Sequence, residues 1–250
     1  MMAKRILLEI CVASVEDALA AESGGADRLE LNCALALGGL TPSLGLFSEV
    51  RRAVSLPIIA MIRPRPGGFC YTSAEFNVMW RDADMLLAAG AKGLAFGILT
   101  HDGEIDLERN QRLRELCGER DAVFHRAFDW TLDPIASLNK LIELKFNRVM
   151  TSGQAATALE GVPLITELVR QSNGQIGILP AAGINPLNAG EILARTGCNQ
   201  VHASSRLKRE DASMPMNRNV RFHSKEPIAE DALESTDAEL VAQLRSLLGS

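Results

Sequence analysis

The chain has 250 residues, of which 47% are hydrophobic and 23% charged, so it can bury a substantial core and is not a disordered polypeptide. Its formal net charge of -5 and its lack of a basic tract argue against nucleic acid and anionic membranes as partners. Charges such as Glu9 and Arg63 interrupt the apolar stretches, which fall far short of the ~20 residues that a membrane span requires.

Cysteine usage indicates the compartment. The sequence has five cysteines, an odd number, and none of them has Cys-x-x-Cys spacing. This pattern predicts free thiols, a reducing environment and no zinc knuckle. After the basic N-terminus, Glu9 interrupts the apolar run and an amphipathic helix follows, so the pattern predicts no signal peptide. We therefore expect a cytoplasmic protein.

Short β-rich runs alternate with longer helical patterns along the chain. The helical patterns begin at capping residues, among them Ser14, Ser43, Thr72 and Asp133, and several strands follow a glycine that ends a helix. Each strand and helix together take about 30 residues, the size of one βα unit. The predicted strands are 6–12, 28–33, 57–63, 93–99, 122–128, 148–152, 175–180 and 200–204.

Eight such units predict an α/β protein with a (β/α)8 TIM-type barrel, because 250 residues is the typical size of that fold. A doubly wound open sheet is the alternative, but no Gly-x-Gly-x-x-Gly motif follows the first strand. We predict one domain over residues 1–250, with a long irregular loop at 206–236 before the last helix. A loop of that length within a compact domain is typically functional.

The alternation along each strand predicts which side chains face the barrel interior. Apolar residues alternate with polar ones in five strands, and the apolar set should face the surrounding helices. Isolated buried charges are costly, so many convergent polar groups favour a binding pocket over an internal ion-pair network. The inward-facing set comprises Glu9, Cys11, Glu30, Asn32, Arg63, His125, Asp129, His202 and Ser204.

Several of these residues suit acid–base chemistry. His125 is the candidate general acid or base, because an imidazole titrates near neutral pH. Asp129 or Glu30 would orient it, and Glu9 or Glu30 would be a second acid or base. The sequence contains no triad or metal-hydrolase motif that would fix the class of reaction.

Arginines and the last two βα loops predict a small anionic ligand, for which phosphorylated compounds are candidates. A guanidinium binds a carboxylate or phosphate through paired N–H groups. Barrels also often bind phosphate with the backbone amides after the seventh and eighth strands. The predicted anion-binding residues are Arg63, Arg65, Arg126, Ser152, Gly183, His202 and Ser204.

Several segments together resemble the CutC copper homeostasis family. They are LLEICVASVEDALAAESGGADRLEL, GGLTPSLGL, IRPRPGGFCYT, FHRAFD and TSGQ. The resemblance runs from about residue 6 to residue 205. It implies a cytosolic TIM-type barrel that forms a homodimer or a higher homo-oligomer. It also implies a role linked to copper, with Cu(I) bound by cysteines at the ends of the first two strands.

Only part of that cysteine pattern is present in this sequence. Cys11 stands at the first position, but Asn32 stands where the family usually has its second cysteine, and Cys33 is displaced by one residue. A shift of one residue turns a side chain to the opposite face of a strand. Cys11 is therefore the candidate ligand for copper(I). Other soft donors, which could join it, are Cys33, Cys70, Met214, Met216 and His223.

Two functions follow from these patterns. The first is a CutC-like copper homeostasis protein that binds Cu(I) in the cytosol. The second is a TIM-barrel enzyme that acts on a small anionic substrate, such as a phosphorylated compound, by acid–base chemistry at the C-terminal mouth of the barrel. The sequence leaves open whether the protein is an enzyme.

Overall fold

The computed structural model describes residues 5–210 and 232–249. Eight parallel strands and eight helices form a nearly closed barrel, which confirms the predicted (β/α)8 architecture. The barrel strands are β1 Leu7–Val12, β2 Arg28–Leu31, β3 Ile58–Met61, β4 Gly93–Phe96, β5 Asp121–Phe124, β6 Arg148–Thr151, β7 Gly177–Pro180 and β8 Gln200–Ala203. The helices are α1 Val15–Ser23, α2 Leu44–Ala53, α3 Ser73–Ala88, α4 Leu107–Cys117, α5 Pro134–Glu143, α6 Val162–Ser172, α7 Ala189–Thr196 and α8 Ala238–Leu247.

The helices begin where capping residues predict. Ser14, Ser43, Thr72 and Asp133 each accept a hydrogen bond from a backbone N–H of the following turn. Thr72 and Glu75 form a reciprocal capping box, which satisfies two otherwise unpaired N–H groups at the start of α3. Within the two described ranges, no helix combines the length and the apolar character of a membrane span.

The strands pair in the order β7-β6-β5-β4-β3-β2-β1-β8, and the two end strands, β7 and β8, lie side by side without a ladder of paired residues between them. There a side chain bridges the two strands, because Gln200 Nε2 donates to the Ile178 carbonyl at 3.4 Å. Gly177 makes room for this contact, since a Cβ at that position would lie 2.6 Å from Gln200 Nε2. The contact between β7 and β8 therefore depends on a glycine and a side-chain amide that face each other.

Buried apolar residues form two separate clusters, as the strand alternation predicts. The larger cluster lies between strands and helices and includes Leu8, Ile10, Phe124 and Val201. The smaller one lies inside the barrel and comes from β3 to β7: Ile59, Met61, Ala95, Val123, Met150, Leu179 and Ala181. Strands β8, β1 and β2 instead bring most of the buried polar side chains inside, and Arg148 of β6 adds a guanidinium that pairs with Asp121 of β5 at 2.8 Å. The interior therefore has an apolar half and a polar half.

The fifth strand is shorter than the sequence pattern predicts. It ends at Phe124, and a 3-10 turn follows over Arg126–Trp130. The His125 side chain causes the turn to begin, because its Nδ1 accepts from the Ala127 N–H at 3.2 Å, while the His125 carbonyl accepts from Phe128 N at 3.1 Å. The prediction that Phe128 is a strand residue is therefore wrong, although its side chain is buried.

The segment predicted as an irregular loop at 206–236 begins and ends in strands. Strand β9 Arg206–Glu210 pairs antiparallel with β10 Ala232–Thr236. The middle of the predicted loop lies outside the described residues. Asp17 of α1 holds the base of this ribbon: its carboxylate accepts from Thr236 N at 2.7 Å, Arg206 Nη1 at 3.2 Å and Ala13 N at 3.0 Å.

We expect Asp17→Ala to lower the free energy of unfolding by about 2–4 kcal/mol, because it leaves two N–H groups and a largely buried guanidinium without their acceptor. Urea denaturation would measure this loss. The matched control is Glu16→Ala, which removes an exposed carboxylate from the same helical turn. A similar loss in both variants would show that the Asp17 contacts do not hold the ribbon.

Candidate functional site

A cavity of about 130 Å³ opens at the carboxyl ends of the barrel strands. This end is where barrel proteins place their functional sites. Both polar and apolar side chains form its wall. The lining residues are Cys11, Glu30, Asn32, Leu35, Gly38, Met61, Arg63, Phe69, His125, Arg126, Met150 and His202.

The register of three neighbouring strands assembles the polar half of the site. In β1, Cys11 lies opposite Glu30 of β2. Two residues earlier, Glu9 lies opposite Arg28 of β2 on one side and His202 of β8 on the other. Because alternate residues share a face, all five side chains project into the barrel interior. The parallel pairing alone therefore brings a thiol, two carboxyls, a guanidinium and an imidazole together.

Cys11, Glu30 and His202 form a candidate metal centre. One donor atom of each lies within 4.8 Å of the others, the only such group among the residues that the structure describes. Asn32 holds two of them in place, since its Nδ2 donates to Glu30 Oε2 at 2.9 Å and to Cys11 Sγ at 3.4 Å. Burial raises the pKa of both the Cys11 thiol and the Glu30 carboxyl.

Glu9 lies beneath this group and orients His202. Its Oε1 is 2.8 Å from His202 Nδ1, and its Oε2 accepts from Arg28 Nε. Burial on its own raises the pKa of Glu9, but the Arg28 charge and the His202 hydrogen bond outweigh burial and hold that pKa below its usual range. His202 Nε2 is left facing Glu30, 3.8 Å from Oε2. A carboxylate that fixes one ring nitrogen and leaves the other for a metal is common in metalloproteins.

His125 faces the same cavity with a defined tautomer. Burial, reinforced by the Arg63 charge, lowers its pKa to about 3, so the ring is neutral at pH 7. Nδ1 accepts from Ala127 N, which places the single ring proton on Nε2. That Nε2–H is buried and has no hydrogen-bond partner within the described part of the chain.

Arg63 reaches the cavity from the end of β3. Its two terminal nitrogens donate to the backbone carbonyls of Leu37, Gly38, Gly39 and Gly67, at 2.8–3.2 Å. Its guanidinium also lies over the Phe69 ring, 5.1 Å from the centroid. Its Nε has no partner among the described residues. Both terminal nitrogens of Arg63 are therefore already occupied by backbone carbonyls, and its Nε–H is the donor that remains for the anionic ligand that the sequence predicts.

The structure brings together some of the residues that the sequence pattern grouped and separates others. Around the cavity lie Cys11, Glu30, Arg63, His125, Arg126 and His202, with Glu9 directly below. Arg65 pairs with Glu75 at 2.5 Å instead. Gly183, Ser152 and the exposed Ser204 do not line the cavity.

Asp129 also lies away from the cavity wall, so the expectation that it orients His125 is corrected. Its carboxylate accepts from Thr151 Oγ1 at 2.5 Å, from Ser152 N at 3.0 Å and from Arg126 Nε at 2.9 Å. The cause is the early end of β5, because the 3-10 turn carries Asp129 toward β6. The role of orienting the His125 ring falls to the Ala127 N–H.

Sequence reasoning overlooked most of the apolar wall. Met61 and Met150 project inward by the same alternation as Arg63 and Ser152, so strand parity could have identified them. Phe69 lies in a loop and gave no such signal.

Two of the other soft donors, Cys33 and Cys70, do not line the cavity. Cys33 Sγ contacts the Thr41 carbonyl at 3.1 Å, and Cys70 is exposed. Met214, Met216 and His223 lie outside the described residues. Cys11 is therefore the one cysteine that lines the cavity in the part of the chain that the structure describes.

Comparison with known proteins finds extensive similarity. The model of the CutC family matches residues 6–207. A copper homeostasis protein cutC homolog of Homo sapiens is 42% identical over 245 residues, or 98% of this chain and 90% of the human protein. A CutC family protein of Treponema denticola is 45% identical over 231 residues, or 92% and 94% of the two chains. The crystal structure of a CutC copper homeostasis protein from Streptococcus agalactiae has a TM-score of 0.76 and 31% identity, covering 79% of this chain and 97% of that one.

The lowered pKa of His125 predicts a pH dependence of stability. Between pH 3 and pH 6.5 the unfolded state binds a proton at this residue and the folded state does not, so stability falls as the pH drops below about 6.5. Between pH 7 and pH 5, protonation of His125 in the unfolded state should lower the free energy of unfolding by about 2 kcal/mol.

The measurement is urea denaturation of the wild type and of His125→Phe at both pH values. The phenylalanine keeps a ring at this position but cannot titrate. We expect the wild type to lose about 2 kcal/mol more than the variant between pH 7 and pH 5. Equal losses would contradict a neutral, buried His125.

Proposed function

Since this chain belongs to the CutC family, we propose that it binds a Cu(I) ion at the mouth of its barrel. The observation that supports this proposal is the convergence of Cys11, His202 and Glu30 on one cavity. The human relative that the chain resembles is named a copper homeostasis protein. The donor set therefore has to be tested for its fit to copper.

The donors available at the cavity suit a soft cation. Thiolate, thioether and imidazole groups select Cu(I) over harder ions. Cys11 and His202 supply the thiol and the imidazole, and the side chains of Met61 and Met150 line the same cavity. We assign Cys11 and His202 as the ligands. Glu30 offers a hard oxygen donor that Asn32 already holds. In this assignment Glu30 lies near the ion but does not coordinate it.

The contact between Glu9 and His202 supports the same assignment. His202 must present Nε2 to the ion, and its contact with Glu9 through Nδ1 leaves Nε2 facing the cavity. Burial lowers the pKa of His202, but the Glu30 charge and the hydrogen bonds to Cys11 and Glu9 outweigh burial and raise that pKa, so binding of the ion would displace the Nε2 proton. Such outer partners set the orientation and basicity of a ligating imidazole. A bound cation also reverses the effect of burial on the Cys11 thiol, because a coordinating thiol loses its proton. These residues therefore bind and orient the ion; no chemical step is required of them.

An anaerobic titration in competition with a colorimetric Cu(I) chelator tests the proposal. We expect the wild type to bind one equivalent. Cys11→Ser should lose more affinity than the roughly 10–100-fold that removal of an outer partner costs. Cys70→Ser, which changes an exposed thiol away from the cavity, is the matched control and should bind like the wild type. If Cys11→Ser bound copper as tightly as Cys70→Ser did, the proposed site would be wrong.

Glu9→Gln tests the outer contact. The amide cannot provide the negative charge that polarises the His202 ring, so we expect about 10–100-fold weaker Cu(I) binding with unchanged stoichiometry. Loss of the buried charge should also lower the free energy of unfolding, by about 3–5 kcal/mol, so circular dichroism must show that the variant is folded before its affinity is compared. An unchanged affinity in the folded variant would exclude His202 as a ligand that Glu9 positions.

Glu30→Gln distinguishes copper from zinc. A Cys–His–carboxylate set also suits Zn²⁺, for which the Glu30 oxygen would be a third ligand. If the site is built for Cu(I), Glu30→Gln should change the Cu(I) affinity little. A large loss of Zn²⁺ binding in this variant, together with Cu(I) binding weaker than that of zinc, would identify a zinc site instead.

The alternative function, an enzyme that acts on a small anionic substrate, receives no stronger support. His125 is neutral at pH 7, as a general base must be, but its low pKa makes it a weak one. Arg65, Gly183 and Ser204 lie away from the cavity. A cytoplasmic location and a homo-oligomeric state stay predictions, based on the cysteine pattern and on the family resemblance.

A further inference from the structure

We propose that the mouth cavity binds a small aliphatic carboxylate, whose oxygens accept from Arg63 Nε–H and His125 Nε2–H. This inference goes beyond Cu(I) binding and does not depend on it, because neither residue belongs to the Cys11, Glu30 and His202 group. It names a second ligand for the same cavity, an organic anion.

Arg63 carries a buried charge without a counter-ion. Its exposed fraction is 7%, and no carboxylate of the described residues forms an ion pair with it. Backbone carbonyls and the Phe69 ring solvate the guanidinium, but neither supplies a negative charge. A buried charge of this kind is costly unless an anion pairs with it. The unpartnered Nε–H is the position that remains for that anion.

His125 supplies the second donor. Its exposed fraction is 3%, and its Nε2–H lacks a partner. A buried donor without an acceptor costs free energy that a bound oxygen would recover. His125 and Arg63 contact the same Phe69 ring: the His125 ring centroid is 5.1 Å from the Phe69 centroid, and so is the Arg63 guanidinium carbon. Arg63 and His125 therefore line the same part of the cavity wall, beside Phe69.

The remainder of the cavity fits the hydrocarbon part of such a ligand. Two unpartnered N–H donors match the two oxygens of a carboxylate, whereas phosphate carries further oxygens that these two donors cannot pair. Leu35, Met61, Phe69 and Met150 form apolar wall around the donors. The cavity volume of about 130 Å³ is roughly ten times the 10–15 Å³ that one water needs, so a short aliphatic chain fits.

The experiment titrates metal-free protein with butyrate and follows the histidine side chains by ¹⁵N NMR and the affinity by calorimetry. Butyramide, an uncharged molecule of the same shape, and inorganic phosphate are the comparison ligands. We expect His125 to show the Nε2–H tautomer, and its Nε2 signal to shift with butyrate while His101, which is exposed, stays unchanged. Butyrate should bind at least 10-fold more tightly than butyramide or phosphate, as expected for loss of a hydrogen bond to a charged group.

Variants separate this site from the copper site. His125→Phe should weaken butyrate binding about 10- to 100-fold. It also removes the acceptor of the Ala127 N–H, so circular dichroism must first show that the variant is folded. Arg63→Lys keeps the charge but removes the Nε–H donor, and should weaken butyrate to a similar degree. Cys11→Ser should bind butyrate like the wild type, so failure of the copper proposal would leave this result unchanged.

Four results would overturn the carboxylate proposal. The first three are the absence of any His125 shift with butyrate, equal binding of butyramide and butyrate, and unchanged affinity in folded His125→Phe. Tighter binding of phosphate than of butyrate would also overturn it, and would restore the phosphorylated ligand that the sequence pattern predicts.

Discussion

The carboxylate of Glu9 is the contact on which the polar half of the barrel depends. It lies between Arg28 and His202 because parallel pairing places those residues beside it, on β2 and β8. One oxygen neutralises the guanidinium and the other fixes the imidazole. Without that carboxylate, two cationic side chains would share a buried space, which is far more costly than the paired state. The orientation of His202, and with it the candidate metal centre, follows from this one charge.

The division of the interior explains how the barrel tolerates such a cluster. Strands β3 to β7 contribute the apolar cluster that includes Met61, Val123 and Leu179, whose burial stabilises the fold. Strands β8, β1 and β2 contribute most of the charged residues, and Arg148 of β6 pairs with Asp121 of β5. A buried ion pair is weak support for stability, and apolar replacements of similar volume are often at least as stable. The charged half is therefore better explained by ligand binding than by packing.

Alternation along the strands predicted which residues face inward, and this correctly placed Cys11, Glu30, His125 and His202 at the cavity. It could not predict the register between strands, which decides that Cys11 meets Glu30 and that Glu9 meets His202, because register is set by contacts between segments distant in sequence. Alternation failed for Asp129, because a local bond from Ala127 N to His125 ended β5 early. The carbonyls that accept hydrogen bonds from Arg63 belong to loops. Loops lack the hydrophobic periodicity from which the conformation of a strand or helix can be predicted.

Asn32 determines how far the copper chemistry implied by the resemblance can apply to this chain. It stands where a second cysteine is usual, and its amide nitrogen donates hydrogen bonds to both Cys11 Sγ and Glu30 Oε2. The neighbouring Cys33 cannot replace that thiol, since its sulfur contacts the Thr41 carbonyl. A second soft donor must therefore come from another strand, and the register offers His202. The amide donates a hydrogen bond to the Cys11 sulfur, which opposes the burial that raises the pKa of that thiol. This site thus has one thiol and one imidazole, and its affinity should depend on Glu9 as a two-thiol site would not.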